Sequence, residues 1–223
     1  MGKHRSLGIQ VKSALLRHYR LRPLDIGSDA KLTKNGFVFN TEAYEIEGFG
    51  HLCIMDMKAM LGLMKMETVV LTSLKKDMPL LNLDWISAFG KETQLIELYD
   101  TQLAPYPQDK LDEFEAIKAK DADLKDYVPQ GSHSYDSILY PETYSKTGKG
   151  VSGRLSDAAE DGIRIFVEQI SDADDCSVED KRAKVREFTD MLISDGGAAV
   201  GQMTKLFGRE TAERVIRRDM YGV

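Results

Sequence analysis

The alternation of hydrophobic and polar residues predicts a β-hairpin in the middle of the chain. Residues 78–100 read MPLLNLDWISAFGKETQLIELYD, in which two alternating runs flank the break AFGKE, a pattern typical of two antiparallel strands. Because side chains alternate between the faces of a strand, one face of the first run carries Leu81, Leu83 and Trp85. The opposite face carries Leu80, Asn82, Asp84 and Ile86.

Asp84 is the unusual residue of this hairpin, because it lies in a strand that is apolar on both faces. Such a strand is usually covered on both sides. A buried carboxyl group must find hydrogen-bond donors or a cation, or keep its proton at neutral pH. Two interpretations of Asp84 follow: a structural anchor, which is the common case, or a proton donor.

Shorter segments with similar alternation predict further strands before this hairpin. Asn35-Gly36 in KLTKNGFVFN is a strong turn signal between two extended runs. The segment HLCIMDMKAMLGLMKMETVVLTSL indicates one strand over roughly residues 49–57 and another over roughly residues 63–73. About six strands with short connections and no long helix between them predict an antiparallel sheet.

Helical spacing of apolar residues predicts helices at both ends of the chain. One helix is predicted over residues 7–18 and an acidic helix within residues 103–130. From Leu155 onward the chain is predicted to be helical. The polar segment 131–154 is expected to be a long loop. The predicted fold is one α/β domain over residues 1–223, a three-layer α/β/α sandwich with a central antiparallel sheet flanked by helices.

Composition excludes several classes of protein. The chain of 223 residues has a net charge of −6, which argues against nucleic-acid binding. No run approaches the roughly 20 apolar residues of a membrane span, and the first residues lack the apolar segment of a secretory signal. Cys53 and Cys176 lie far apart with no CxxC motif or His cluster, which indicates no metal site. We expect a cytoplasmic monomer without a membrane partner.

Short motifs in order along nearly the whole chain resemble those of the ferredoxin-dependent bilin reductases, whose fold is shared with red chlorophyll catabolite reductase. The Pro-apolar-apolar-small-apolar-Asp pattern of that family is matched by PLLNLD, residues 79–84. The end of the chain is similar to the family's FG-x-x-x-A/T-x-R-hydrophobic ending. The matching positions there are Phe207, Gly208, Ala212, Arg214 and Tyr221.

The resemblance implies a specific chemistry. A bilin reductase passes single electrons from a small iron–sulfur protein to a linear tetrapyrrole held between sheet and helices, by a radical mechanism, with no metal or flavin of its own. Each electron makes the bilin more basic, so a carboxyl group with a raised pKa suits the supply of protons. Asp84 occupies the family's Asp position and is the expected proton donor. The implied activity is ferredoxin-dependent reduction of a biliverdin-type bilin, as in phycobilin biosynthesis.

The resemblance implies further acid–base positions, and here the chain departs from the family pattern. Counting back from Pro79 places Glu67 where phycocyanobilin-forming members have His, and Met55 near their Glu. Glu67 is therefore a candidate acid, or an ordinary half-exposed strand residue. Asp195 is a candidate third acid, or a turn residue that ends a helix before Gly196.

Four residues on the predicted strands are candidate contacts for a tetrapyrrole: His51, Met55, Met66 and Trp85. Methionine is flexible and polarizable and suits a large planar ligand. Ordinary core packing is the alternative for the methionines and the tryptophan, and a structural role is the alternative for the histidine.

Three functions remain open from the sequence: a bilin reductase, a non-catalytic tetrapyrrole-binding protein of the same fold, and an enzyme acting on another large conjugated ligand. Asp84 favours an enzyme, an oxidoreductase, whereas the missing His favours altered regiochemistry or lost activity. Because ferredoxins are acidic, the electron donor is expected to dock on basic residues. These lie in the first 34 residues and at Arg209, Arg214, Arg217 and Arg218.

Overall fold

The computed structural model describes residues 3–129, 131–196 and 198–223, and within them one open antiparallel sheet of nine strands. The strands are β1 (Leu21–Pro23), β2 (Lys31–Lys34), β3 (Phe37–Ile46), β4 (Gly50–Ala59), β5 (Met64–Ser73), β6 (Leu80–Ala88), β7 (Lys91–Tyr99), β8 (Lys125–Asp126) and β9 (Tyr144–Gly148). Their order across the sheet is β1-β3-β4-β5-β6-β7-β9-β8, and β2 also pairs with β3.

Tight turns connect the central strands and set their register. Asn35 and Gly36, with φ of 51° and 79°, form the turn between β2 and β3, as Asn-Gly favours. The β6–β7 hairpin turns on Phe89 and Gly90, which also have positive φ. The predicted hairpin is therefore confirmed, with a turn of two residues rather than the five of AFGKE.

Helices cover both faces of the sheet. On one face, called the α1–α3 face, lie α1 (Leu7–Leu15), α2 (Gln108–Lys120) and α3 (Ser152–Gln169). On the other, called the α4–α6 face, lie α4 (Val178–Asp195), α5 (Ala198–Phe207), α6 (Arg209–Arg214) and a π-helical turn over Val215–Met220. This arrangement confirms the predicted α/β/α sandwich. No helix in the described ranges is long and apolar enough to cross a membrane.

Each face of the sheet has its own hydrophobic core. Leu81 and Leu83 of β6 lie in the core beneath α1–α3, whereas Leu80 lies in the core beneath α4–α6. Burying each leucine contributes roughly 2 kcal/mol. The alternation predicted for the hairpin is thus confirmed, because β6 buries apolar side chains on both sides of the sheet.

A buried lysine of α4 binds the backbone just before β6 and just after β7. Lys181 is fully buried, and its Nζ donates to the carbonyl oxygens of Met78 at 2.6 Å and Thr101 at 2.8 Å. It also forms an ion pair of 3.4 Å with Asp77. Because a buried ammonium group requires such partners, these contacts fix the position of α4 on its face.

The structure corrects the sequence predictions at several places. The expected loop over 131–154 contains the strand β9, which pairs with β7 and with the edge strand β8. Its polar composition concealed this strand. Helix α3 begins at Ser152 rather than Leu155. The final helical segment is broken at Gly208, whose φ of 89° separates α5 from α6. Strands β1 and β8 have only three and two residues, too few for an alternating pattern to identify.

Candidate carboxyl site on the sheet

Asp84 lies in the middle of β6 on the α4–α6 face. In the register of the sheet it is opposite Thr68 of β5 and Leu95 of β7. One carboxylate oxygen accepts a hydrogen bond from the Thr68 hydroxyl, and the other accepts one from Asn82 Nδ2 at 2.9 Å. Each oxygen of Asp84 therefore has one neutral donor.

A second carboxyl group, Glu97 of β7, belongs to the same cluster and was missed by the sequence analysis. Asn82 Nδ2 bridges the two acids, since it also donates to Glu97 Oε2 at 3.0 Å. The Tyr99 hydroxyl donates to the same Glu97 oxygen at 3.1 Å. The turn at Phe89-Gly90 has two residues and places Glu97 opposite Asn82. The five-residue turn predicted from the sequence gives a different register, and for this reason Glu97 was missed.

Burial raises the pKa of both carboxyl groups. For Asp84, burial outweighs the opposing effects of the Thr68 and Asn82 hydrogen bonds. For Glu97, burial and then repulsion from Asp84 raise the pKa to about 7. Because the two acids interact, they titrate as a pair. The cluster therefore retains protons to higher pH than isolated carboxyl groups do.

Both acids lie deep in the protein but are not sealed from solvent. Asp84 and Glu97 keep part of their surface accessible, although burial is the largest influence on the pKa of each. Met66 and Ile86, an adjacent pair of β5 and β6, are also half-buried. Partly accessible residues therefore lie along this face of the sheet between the carboxyl groups and the hairpin turns.

Aromatic side chains from the C-terminal half of the chain lie close to the carboxyl cluster. Tyr221 is buried and packs edge-on against Phe188 of α4, with ring centroids 5.3 Å apart. Burial, followed by the Asp84 and Glu97 carboxyl groups, raises the pKa of Tyr221. Tyr135, in the short 3-10 turn Ser134–Ile138, also packs against Phe188 at 6.3 Å. These rings place apolar surface beside the acids, which lowers the local dielectric there.

His51, a predicted ligand contact, lies on the α4–α6 face but holds the end of the chain. Its Nε2 donates to the Asp219 carbonyl oxygen at 2.8 Å, and burial lowers its pKa. A Cβ added at Gly222, where φ is 72°, would lie only 2.8 Å from the His51 side chain. These contacts support the structural alternative for His51.

Met55 and Met66, two other predicted ligand contacts, lie on the same face as Asp84. Met55 is opposite Thr68, two strands away from Asp84, and is buried in the core beneath α4–α6. Met66 is opposite Ile86 and half-buried. Of the predicted contacts, Met66 is the one that has both proximity to Asp84 and accessible surface.

Glu67 lies on the α1–α3 face, so the structure does not bring it together with Asp84. Its carboxylate accepts hydrogen bonds from the backbone N–H groups of Leu7 at 2.8 Å and Gly8 at 2.9 Å, and from His4 Nε2 at 3.0 Å. Burial raises its pKa, but these hydrogen bonds lower it by more. The prediction that Glu67 joins Asp84 in one acid–base set is therefore corrected, because Glu67 anchors the N-terminus of α1.

Trp85 lies on the same face as Glu67 and away from Asp84. Its indole ring stacks on His4, with centroids 3.6 Å apart and planes 6° apart. Its Nε1 donates to Glu92 at 3.2 Å. The predicted contact of Trp85 with a ligand beside Asp84 is corrected, because its side chain instead packs the N-terminal segment onto the sheet.

Asp195, the third candidate acid, is the exposed last residue of α4. It accepts hydrogen bonds from the Ser134 hydroxyl, at 2.6 Å, and from the Ser134 backbone N–H, and these lower its pKa. A lowered pKa keeps the group ionised, which is the opposite of what a proton donor needs. Asp195 thereby ties the turn that carries Tyr135 to the end of α4.

A cavity of about 440 Å³ lies apart from the carboxyl cluster, beside the start of α2. The side-chain amide of Gln102 is buried there with no hydrogen-bond partner among the described residues. No acid of the cluster lines this cavity, which is therefore separate from the candidate site. Its lining is Asp100, Gln102, Leu103, Ala104, Pro105, Tyr106, Gln108, Leu111, Tyr140, Pro141 and Glu142.

The described residues contain no group of three or more His, Cys, Asp or Glu side chains placed to hold a metal ion. Cys53 is buried, and burial raises the pKa of its thiol. The carboxyl cluster consists of the Asp84 and Glu97 carboxyl groups, the Asn82 amide and the hydroxyl groups of Thr68 and Tyr99.

Comparison with known proteins supports the fold. No family model matches the chain, and no curated protein matches it by sequence. Among solved structures it is similar to phytochromobilin synthase from tomato, in a crystal structure with biliverdin, with a TM-score of 0.74 and 13% identity. The alignment covers 97% of this chain and 83% of that chain. The bilin reductase fold expected from the motifs is thereby confirmed.

Proposed function

We propose that this protein reduces a linear tetrapyrrole of the biliverdin type, with Asp84 as a proton donor and a reduced ferredoxin as the source of electrons. The observation that carries the proposal is the position of Asp84. Its carboxyl group has a raised pKa, lies deep on one face of the sheet, and still has accessible surface. Phytochromobilin synthase, which shares the fold, was crystallised with biliverdin.

The proposed ligand position is the face of β5 and β6 between Asp84 and the hairpin turns. Half-buried Met66 and Ile86 provide an apolar surface beside the acids. A flat conjugated ligand lying there buries apolar area on the sheet and brings its pyrrole nitrogens or lactam oxygens to the carboxyl groups. No resident metal or flavin is required, because the tetrapyrrole itself accepts the electrons.

The proton step follows from the hydrogen bonds of Asp84. Reduction of one double bond consumes two electrons and two protons, and each electron makes the bilin a stronger base. When Asp84 gives up its proton, the carboxylate is stabilised by the Thr68 hydroxyl and the Asn82 amide, one donor on each oxygen. Glu97, bound to the same amide, is the second acid of the cluster.

The proposed electron donor is an acidic protein, so it needs positive charge on this one. The four C-terminal arginines expected to receive it all keep partly exposed side chains, but each pairs with a carboxylate. The pairing weakens the positive field, and docking should therefore be weak and sensitive to salt. These residues are Arg209, Arg214, Arg217 and Arg218.

A second candidate function, a tetrapyrrole-binding protein without turnover, is favoured by one observation. The row of residues opposite one another across the sheet at Asp84 consists of Thr41, Met55, Thr68, Asp84, Leu95 and Ser145. Asp84 is the single acid of this row, and neither Met55 nor Thr68 has a titratable proton. The row therefore offers one proton donor, which favours binding of a tetrapyrrole without its reduction.

The test is a titration with biliverdin followed by reduced ferredoxin without oxygen, monitored by the visible spectrum. A shifted biliverdin spectrum that then changes to that of a reduced bilin supports the reductase. A shifted spectrum that ferredoxin leaves unchanged supports the binding protein. Absence of any biliverdin binding contradicts both.

Neighbouring residues of β6 provide a matched pair of variants for the ligand position. Ile86→Arg introduces a long charged side chain on the face of Asp84, and we expect it to abolish the biliverdin shift. Ser87→Arg introduces the same side chain on the opposite face, and binding should persist. Both positions are half-buried near the hairpin turn, so the comparison separates blocked binding from a general loss of stability.

A further inference from the structure

Two neighbouring hairpin turns at one end of the sheet carry large apolar side chains into solvent. The β4–β5 turn exposes Met60, Leu61 and Leu63 by 52%, 105% and 59%, and the β6–β7 turn exposes Phe89 by 66%. The turns are adjacent, because Phe89 N–H donates to the Leu63 carbonyl oxygen at 3.3 Å. We call these four residues the tip surface.

Three residues of the tip surface have a backbone conformation that is unusual for large apolar side chains. Met60, Leu61 and Phe89 have φ of 51°, 56° and 52°, a left-handed conformation that favours Gly, Asn and Asp over large apolar residues. Since these side chains project into solvent, core packing does not account for them. Either property alone would be unremarkable, but three such residues on adjacent turns indicate a contact surface.

Lysines without carboxylate partners surround the tip surface. All are exposed and lie in or close to the turns at the same end of the sheet. They are Lys34, Lys58, Lys65, Lys91 and Lys149. None of these five lysines takes part in the lysine–carboxylate ion pairs found within the described ranges. This end is thus locally basic on a chain whose net charge is −6.

We propose that the tip surface binds the surface of an anionic lipid bilayer. Apolar side chains on projecting turns enter the boundary between headgroups and acyl chains, while the surrounding lysines contact the anionic headgroups. A protein partner is less well matched, because protein interfaces favour Arg and aromatic residues and are depleted in Lys. Such peripheral binding requires no membrane-spanning helix, and it differs from the sequence-based expectation of no membrane partner.

The test is sedimentation of the full chain with vesicles of phosphatidylcholine alone and with about one third phosphatidylserine. We expect binding to the anionic vesicles that is released by added salt. The double variant Leu61→Asn, Phe89→Asn should lose at least about tenfold in binding. Asn tolerates the left-handed backbone, so this variant should remain folded. Lys58→Gln with Lys65→Gln should also weaken binding.

A matched control is Leu16→Asn, which removes another exposed apolar side chain, 61% accessible, just beyond the end of α1. It should bind anionic vesicles as the unchanged protein does. The proposal is overturned if the unchanged protein does not bind anionic vesicles, or if the tip variant binds them equally well. If the tip variant instead loses affinity for an acidic protein such as ferredoxin, without any vesicle binding by the unchanged protein, the surface is a protein docking site and the membrane assignment is wrong.

Discussion

Asp84 and Glu97 share the side-chain amide of Asn82 as a hydrogen-bond donor, and this contact couples their protonation. When both acids ionise, two negative charges interact in a region where burial already disfavours charge. When one of them keeps its proton, that repulsion disappears. At the scale of single residues, the site is therefore a proton store whose occupancy depends on pH in the acidic to neutral range.

Glu97→Gln should stabilise the protein more at about pH 8 than at about pH 5. The folded-state pKa of Glu97, about 7, lies above the ordinary value of 4.5. The contribution of the protonated group is therefore complete below 4.5 and lost as pH rises through about 7. The difference of 2.5 units corresponds to at most about 3 kcal/mol. Urea unfolding at both pH values measures it, and a pH-independent difference would contradict the assigned pKa.

The sequence predicted the environment of Asp84 better than its partners. Alternation placed Asp84 on a covered face, because the side-chain period of a strand does not depend on tertiary contacts. Counting back along the chain to Glu67 failed, because a shift of one residue moves a side chain to the opposite face. Glu97 was missed because its proximity to Asn82 depends on the length of the turn between the strands.

At the scale of elements, the Glu67 carboxylate of β5 binds the N-terminus of α1. Glu67 accepts hydrogen bonds from the first backbone N–H groups of the helix and from His4, where the helix dipole also favours negative charge. The Ser6 side chain caps the same turn. This arrangement could not be predicted from the sequence, since Glu67 and the start of α1 are about 60 residues apart.

Glu67→Gln should lower the free energy of unfolding by about 2 kcal/mol, because one acceptor oxygen is replaced by an NH2 group that faces donors. The hydrogen bonds lower the folded-state pKa of Glu67 below 4.5, so the wild-type contribution is present above 4.5 and lost on acidification through the folded-state value. Urea unfolding at neutral and acid pH measures both effects. Bilin turnover should persist in the variant, and its loss in a fully folded sample would restore Glu67 as a catalytic acid.

Lys181→Met should destabilise the protein by about 3 kcal/mol, because the carbonyl oxygens of Met78 and Thr101 and the Asp77 carboxylate lose a buried cation. The methionine nearly fills the same volume, so the loss reports polar contacts more than packing. Lys184→Met, on the exposed side of α4, is the control and should change stability little. Equal stabilities of the two variants would show that Lys181 does not anchor α4.

At the scale of the whole molecule, the two ends of the chain together close the α4–α6 face. Asp29, which is buried, accepts hydrogen bonds from Arg214 Nε at 2.7 Å and from Arg218 at 2.9 Å. The hydrogen bond from Arg214 is the largest influence on the lowered pKa of Asp29. The turn that these arginines fix leads directly to Tyr221, so the cover beside the carboxyl cluster depends on contacts between distant segments.

Ferredoxin-dependent turnover should slow as ionic strength rises, because the docking surface proposed for the acidic donor consists of exposed charges that salt screens. The screening length falls to roughly 8 Å at physiological salt, so the effect should already be visible in that range. Initial rates at increasing sodium chloride concentration measure it, with biliverdin binding as the control. Turnover that is independent of salt would assign the C-terminal arginines a purely structural role.

The most direct test of the account is electron paramagnetic resonance of the Asp84→Asn variant with bound biliverdin and reduced ferredoxin. The amide nearly matches the carboxyl group in size, so binding should persist and electrons should still arrive, but without the proton a bilin radical should accumulate. Asp56→Asn, an exposed acid on the α1–α3 face, should turn over normally. Normal reduction of biliverdin by Asp84→Asn, with no accumulated radical, would contradict the assignment of Asp84 as the proton donor.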